Sequence, residues 1–139
     1  MFAFLDRFRP LGVLIARIVL GVIMLVHGWH KIFPRGSLYN FAQMISHMGL
    51  PYWLGYVAAF TEFFGGALLI LGLLVPIATI GIAIDMAVAI LKVHLHHGLT
   101  GSQGFEFPLS LFALSLLILA SGSGHLAIDS RLGTGAGRR

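Results

Sequence analysis

Arg17, Glu62 and Asp85 each interrupt a run of apolar residues long enough to be buried in lipid. An ionised group at the centre of a membrane helix costs roughly 2.5–3.5 kcal/mol on insertion, so each of the three needs a partner or a task. Arg17 shares a helical stripe with Gly21, Met24, Gly28 and Lys31. Glu62 falls with Gly55, Ala58, Gly65 and Gly66, and Asp85 with Ala78, Gly81, Ala89 and Lys92. In all three helices the polar group lies on the small-residue face, and small residues let membrane helices approach closely. These faces therefore point inward. Two chemistries satisfy the pattern. The charges can be buried ion pairs that fix the packing, with Arg17 neutralised by Asp85 or Glu62. Alternatively, Arg17, His27, Lys31, Glu62, Asp85 and Glu106 line a ligand pocket or a proton path within the bundle.

Histidine is the other unusual supply. His27 and His30 lie near the end of the first apolar segment, and His94, His96 and His97 near the end of the third. Alternate helices run the same way, so both groups reach one membrane surface together with Glu106. Imidazoles with a carboxylate suit Zn, Cu or Fe, and histidines at an interface also simply solvate a helix end. His-x-His-His is not a metal-specific spacing, and no His-Glu-x-x-His occurs. No metal is assigned; His94, His96 and His97 are weak ligand candidates, with His27 and Glu106 on the same surface. The absence of cysteine excludes thiol catalysis, disulfides and thiolate metal sites. No dinucleotide fingerprint or haem-attachment motif is present, so no redox cofactor intrinsic to the chain is expected.

The elements that must position these groups are legible in composition. Only 10% of residues are charged, against about 25% in soluble domains, so lipid must cover most of the outside. The expected fold is all-α, an integral membrane four-helix bundle forming a single domain over 1–139. Its helices are expected at about 11–33, 52–74, 76–93 and 104–121, with a Gly/Arg-rich tail over 122–139. Nothing alternates with period two, which favours helices over a barrel. Phe41, Met44, Ile45 and Met48 give the loop before Pro51 the spacing of a short interfacial helix. Val75-Pro76 predicts a tight antiparallel turn. Arg7 and Arg9 before an apolar stretch resemble a signal peptide, but the stretch is too long, carries Arg17 and His27 and lacks a small-residue cleavage site. It reads as a retained first helix. The sequence pI of about 10.1 rests on scattered basic residues with no run that could track a phosphate backbone, so nucleic acid is excluded as a partner.

Several segments, taken in order, resemble the DoxX family. Arg17-Ile-Val-Leu-Gly21 followed by His27-Gly28-x-x-Lys31 is similar to the opening helix of DoxX-type proteins. Glu62-x-x-Gly65-Gly66-x-Leu68-x-x-Leu71-Gly72 resembles their second helix, and Gly104-x-Glu106-Phe-Pro108 the start of their fourth. Gly122-Ser-Gly124-x-x-Ala127-x-Asp129 resembles their closing segment, with Ala127 where that family has serine. The resemblance spans about Leu11 to Asp129. It implies a four-helix membrane protein tied to oxidoreductase systems, such as a thiosulfate:quinone oxidoreductase or complexes that handle oxidative stress. It does not carry a catalytic mechanism with it.

The leading expectation is thus a subunit of a membrane redox complex, with a quinone as the candidate cofactor inside the bundle and oxidoreductase partner proteins supplying the electrons. A non-enzymatic scaffold or assembly factor is the alternative, and a homo-oligomer is compatible with either. A small transporter is disfavoured by the lack of an inverted repeat or broken helix. The expected location is the cell (inner) membrane. Arg7, Arg9, Arg131, Arg138 and Arg139 fall on one side and Lys31, Arg35 and Lys92 on the other, which favours both termini in the cytoplasm. Because the chain has no cysteine, a Ser130→Cys variant tests this directly. In intact cells it should resist a membrane-impermeant thiol reagent and react only after lysis, whereas labelling of intact cells would reverse the topology.

Overall fold

A computed structural model describes residues 3–124 and 126–132. Within them a 3-10 turn, Ala3–Phe8, leads into six α-helices: α1 (Arg9–Ile32), α2 (Ser37–His47), α3 (Trp53–Leu71), α4 (Val75–Ala89), α5 (Glu106–Ser121) and α6 (Ile128–Arg131). The described residues contain no strand. The rest of the expected tail, with Arg138 and Arg139, lies outside the described residues.

The ends of the helices follow from their sequences. Pro10 and Pro76 stand in the first turns of α1 and α4, where a missing N–H costs nothing. Gly72, at φ 69°, ends α3 in the left-handed conformation. Its N–H and that of Leu73 turn back to the carbonyls of Leu69 and Leu68. Leu74 then takes φ 50°, a strained value for a residue with a side chain. Past Ala89 the helix widens into a π-turn over Ile90–His94 and tightens into a 3-10 turn over Leu95–His97.

α1, α3, α4 and α5 pack in a closed ring, each against the next, and α2 lies across α3 and α1. Leu20, Met24, Leu69, Val75, Ile82 and Ile118 fill the centre. Ile15, Val19, Ile77, Ile84 and Leu117 remain exposed on the outside, as helices facing lipid require. The chain is a multi-pass membrane protein. The expectation of four full spans needs one adjustment. Asp6–Ile32, Trp53–Leu71 and Val75–His97 are long and apolar enough to cross a bilayer, but α5 has only 16 residues. Part of the stretch assigned to it is spent in the loop ahead of α5, where the N–H groups of Phe105 and Glu106 bond the carbonyls of Gly98 and Leu99. Of the two further helices, α2 forms where a short helix was expected before Pro51 and α6 is a single turn.

The two ends of the ring differ chemically. Both tryptophans and all three tyrosines, Trp29, Tyr39, Tyr52, Trp53 and Tyr56, cluster where α1 ends and α3 begins. Tryptophan and tyrosine favour the headgroup level, which marks this end as an interface. The Tyr52 hydroxyl, in hydrogen bond with Tyr56, is pushed up to about 12 and stays protonated. The other end carries Arg7, Arg9 and Arg131.

α1 and α3 touch backbone to backbone. A Cβ on Gly66 would stand 2.6 Å from the Gly21 carbonyl oxygen, and one on Gly28 2.6 Å from the Phe63 Cα. Neither neighbour can move without shifting its helix. Gly28→Ala and Gly66→Ala should therefore each lower the detergent melting temperature, with a loss of roughly 1–3 kcal/mol or more from overpacking. Gly12→Ala, at a position with nothing within 4 Å, should lose none. Equal melting temperatures for all three variants would refute the close seam.

Candidate functional site

The polar groups at the aromatic end begin with Lys31, in the last turn of α1. Its Nζ donates to Glu62 Oε1 at 2.5 Å and sits 4.4 Å from the centroid of the Phe41 ring. Glu62 is only 2% exposed, so this ion pair is shielded from water on its acidic side. Two features bring the partners together. Gly28, one turn before Lys31, lets α1 press against Phe63, the neighbour of Glu62. Gly55 lets α2 approach α3, since a Cβ there would meet the Ala42 Cα at 2.6 Å. α2 can then lay Phe41 over the ammonium, a cation–π contact that stabilises a partly desolvated charge.

A cavity of about 270 Å³ opens beside this pair. His27, Lys31, Glu62, His94 and Glu106 supply its polar lining, and Met24, Met86 and Phe107 much of its apolar lining. The π-turn delivers His94 to it, and such turns recur at functional sites. His94 Nδ1 lies 2.8 Å from the Gln103 carbonyl. A carbonyl only accepts, so Nδ1 carries the proton of this bond and the neutral ring keeps Nε2 as an acceptor. Glu106 is the first residue of α5, where the helix N-terminus favours its negative charge.

The structure thus gathers His27, Lys31, Glu62 and Glu106, with His94, around one cavity. Asp85 does not line it but interacts electrostatically with both Glu62 and Lys31. His96 and His97 are exposed and stack on one another with ring centroids 4.1 Å apart. Among the described residues no three His, Asp or Glu side chains stand close enough together to hold a metal ion.

The DoxX family model matches residues 12–95, more than half of the chain. The chain is also 32% identical over 125 residues to the Bacillus subtilis (strain 168) protein named "Putative oxidoreductase CatD", across 90% of each sequence. The chain belongs to the DoxX family. No solved structure gives a significant match to it. The DoxX match runs from α1 to Leu95 and so includes Lys31, Glu62, Asp85 and His94, while Glu106 lies beyond it.

Arg17 corrects the sequence reading. It neither lines the cavity nor pairs with Asp85 or Glu62. Fourteen residues before Lys31 on α1, it is about 21 Å away along the helix axis, at the opposite end of the bundle. There its Nη1 donates to the Ser123 carbonyl at 2.6 Å and its Nη2 to the Leu126 carbonyl at 3.4 Å, and Asp129 supplies the attracting negative charge. Asp129 in turn accepts from the backbone N–H of Leu74 at 2.8 Å and of Val75 at 2.9 Å. It thereby caps α4 and stabilises the strained Leu74. The closing segment that resembles other DoxX proteins is therefore a structural clasp in this chain. Ala127, in the position of the family serine, packs against Gly72, where a Cβ would meet the Ala127 Cα at 2.8 Å.

The clasp and the cavity should behave as independent units. Asp129→Ala leaves a buried guanidinium and two amide groups without their carboxylate, so it should cost roughly 3–5 kcal/mol. Arg17→Ala should then cost less in the Asp129→Ala background than alone, while Arg17→Ala and Asp85→Asn should add. A double-mutant cycle on thermal stability in detergent measures both. Coupling of Arg17 to Asp85 rather than to Asp129 would overturn the assignment.

Proposed function

We propose that this protein is a membrane component of a redox system and that its cavity receives the headgroup of a lipid-soluble carrier of the quinone class. The observation that carries the reading is the shielded Lys31–Glu62 pair opening onto a cavity at the aromatic interface. Membership of the DoxX family and the oxidoreductase name of a relative support the redox association.

The chemistry of the lining fits such a headgroup. Lys31 offers a charged donor to a ring carbonyl, and Met24, Met86 and Phe107 offer apolar contact to the ring faces. At about 270 Å³ the cavity is near the small end of ligand sites, of a size for one ring with its tail left in lipid. A bound quinone would accept two electrons and two protons. Glu62 holds Lys31 in place, and His27, His94 and Glu106 stand at the cavity edge where protons exchange with water. Electrons come from a partner oxidoreductase, since the chain has no cofactor motif of its own. The reading includes placement in the inner membrane with both termini in the cytoplasm, so that the cavity opens on the opposite face.

Both tryptophans lie at the cavity end, which makes their fluorescence a direct probe. In nanodiscs a short-tailed benzoquinone should quench it saturably. Lys31→Met, which removes a charged hydrogen bond worth about 1.5–3 kcal/mol, should weaken binding roughly 10- to 100-fold. Asp129→Asn, at the far end, should leave it unchanged. Non-saturable quenching that is identical in wild type and Lys31→Met would reject a quinone as the ligand.

A further inference from the structure

Two acidic side chains from different helices, Glu62 and Asp85, interact with each other and with one cation, Lys31. Glu62 on α3 gives Oε1 to Lys31, while its Oε2 is buried and has no hydrogen-bond partner. Asp85 on α4 also has a buried oxygen, Oδ2, without a partner. A Cβ on Gly65 would meet Ile82 at 3.3 Å, and Glu62 and Asp85 stand one turn from that contact on α3 and α4, where they interact with each other and with Lys31. Carboxylate oxygens only accept, so while both groups are ionised neither can satisfy the other. The cluster would then hold two negative charges against one positive charge in a medium that penalises any excess.

Among the described residues no other cation corrects this. On α1, His27 is exposed at the cavity edge and Arg17 is engaged with the C-terminal clasp at the far end. On the π-turn after α4, Lys92 is exposed and His94 is tied to the Gln103 carbonyl. On α5 the nearest ionisable group is Glu106, a further acid. α2 contributes only the ring of Phe41 above Lys31.

We propose that Glu62 and Asp85 bind one proton between them, so that with Lys31 they form a charge-neutral buried cluster. A single proton converts one of the carboxyl oxygens into a donor, supplies the missing partner to the other and removes the excess charge. Two carboxyls sharing a site behave in this way. Glu62 lines the cavity, whereas Leu20, Leu69, Ile82 and Ile118 fill the bundle towards the Arg17 end. The proton therefore exchanges with water through the cavity, at the aromatic face only. The proton site does not depend on what occupies the cavity, and it stands even if the ligand is not a quinone.

Infrared difference spectroscopy of the full chain in lipid nanodiscs tests it. At neutral pH the wild type should show a protonated-carboxyl C=O band that shifts in D₂O. A shared proton requires that Glu62→Gln and Asp85→Asn each abolish the whole band, since either amide supplies its own donor and leaves the remaining acid ionised. Both variants should keep their helical circular dichroism, and Glu106→Gln should keep the band. The proposal is overturned if folded wild type lacks the band. It is equally overturned if sodium at fixed pH removes it, because a monovalent cation would then be the occupant, or if only one of the two amide variants loses it.

Discussion

Lys31 reaches Glu62 because α1 and α3 run with their backbones in contact. A lysine and a glutamate on helices at ordinary side-chain separation would each have to bend towards water to lose their desolvation cost. Here Gly21, Gly28 and Gly66 remove the side chains that would hold the helices apart, and the ion pair forms inside the bundle. In lipid no hydrophobic force draws one helix to another, so van der Waals contact of this kind carries most of the association. The cavity, the lid of α2 over Lys31 and the carboxyl pair all hang from that seam.

Charge is distributed so that structure and chemistry do not compete. At one end the two terminal nitrogens of a buried arginine are taken up by backbone carbonyls, its Nε is left without a partner, and the aspartate beside it also caps α4, which closes the ring of helices on its C-terminal segment. At the other end the lysine is left with one carboxylate oxygen and an aromatic face, and the neighbouring acids keep unsatisfied oxygens. An arginine stays charged under all conditions, which suits a permanent clasp. Lysine and carboxyl groups change state more readily, and they are the groups set beside the cavity.

Much of this was legible in residue types. The stripe Arg17, Gly21, Met24 and Gly28 is the buried face of α1, and Gly55, Glu62, Gly65 and Gly66 lie on that of α3. α4 was read less well. Its buried residues include Thr79, Ile82, Ala83 and Met86, while Gly81 and Asp85 are only half-buried and Lys92 is exposed. The helix is flanked by α3 on one side and α5 on the other, so its covered arc is wider than one stripe, and the π-turn then rotates Lys92 outward. The partner of Arg17 left almost no trace in the sequence, because backbone carbonyls belong to every residue. Only Asp129 could have signalled it. The Lys31–Glu62 pair had a signal that was present but unused: a glycine one turn before the lysine, facing the residue beside the glutamate.

The shortness of α5 has a consequence for the membrane itself. Sixteen residues span about 24 Å at about 1.5 Å per residue, against a hydrocarbon thickness of about 30 Å. The neighbouring spans, Asp6–Ile32 and Val75–His97, are longer, so the mismatch falls on one flank of the molecule. Lipids beside α5 must compress to meet it, drawing headgroups and water inwards there. Glu106 and Phe107 begin that helix and also edge the cavity. A bilayer thinned in this way would dip beside the cavity, and access to the cavity would then respond to bilayer thickness.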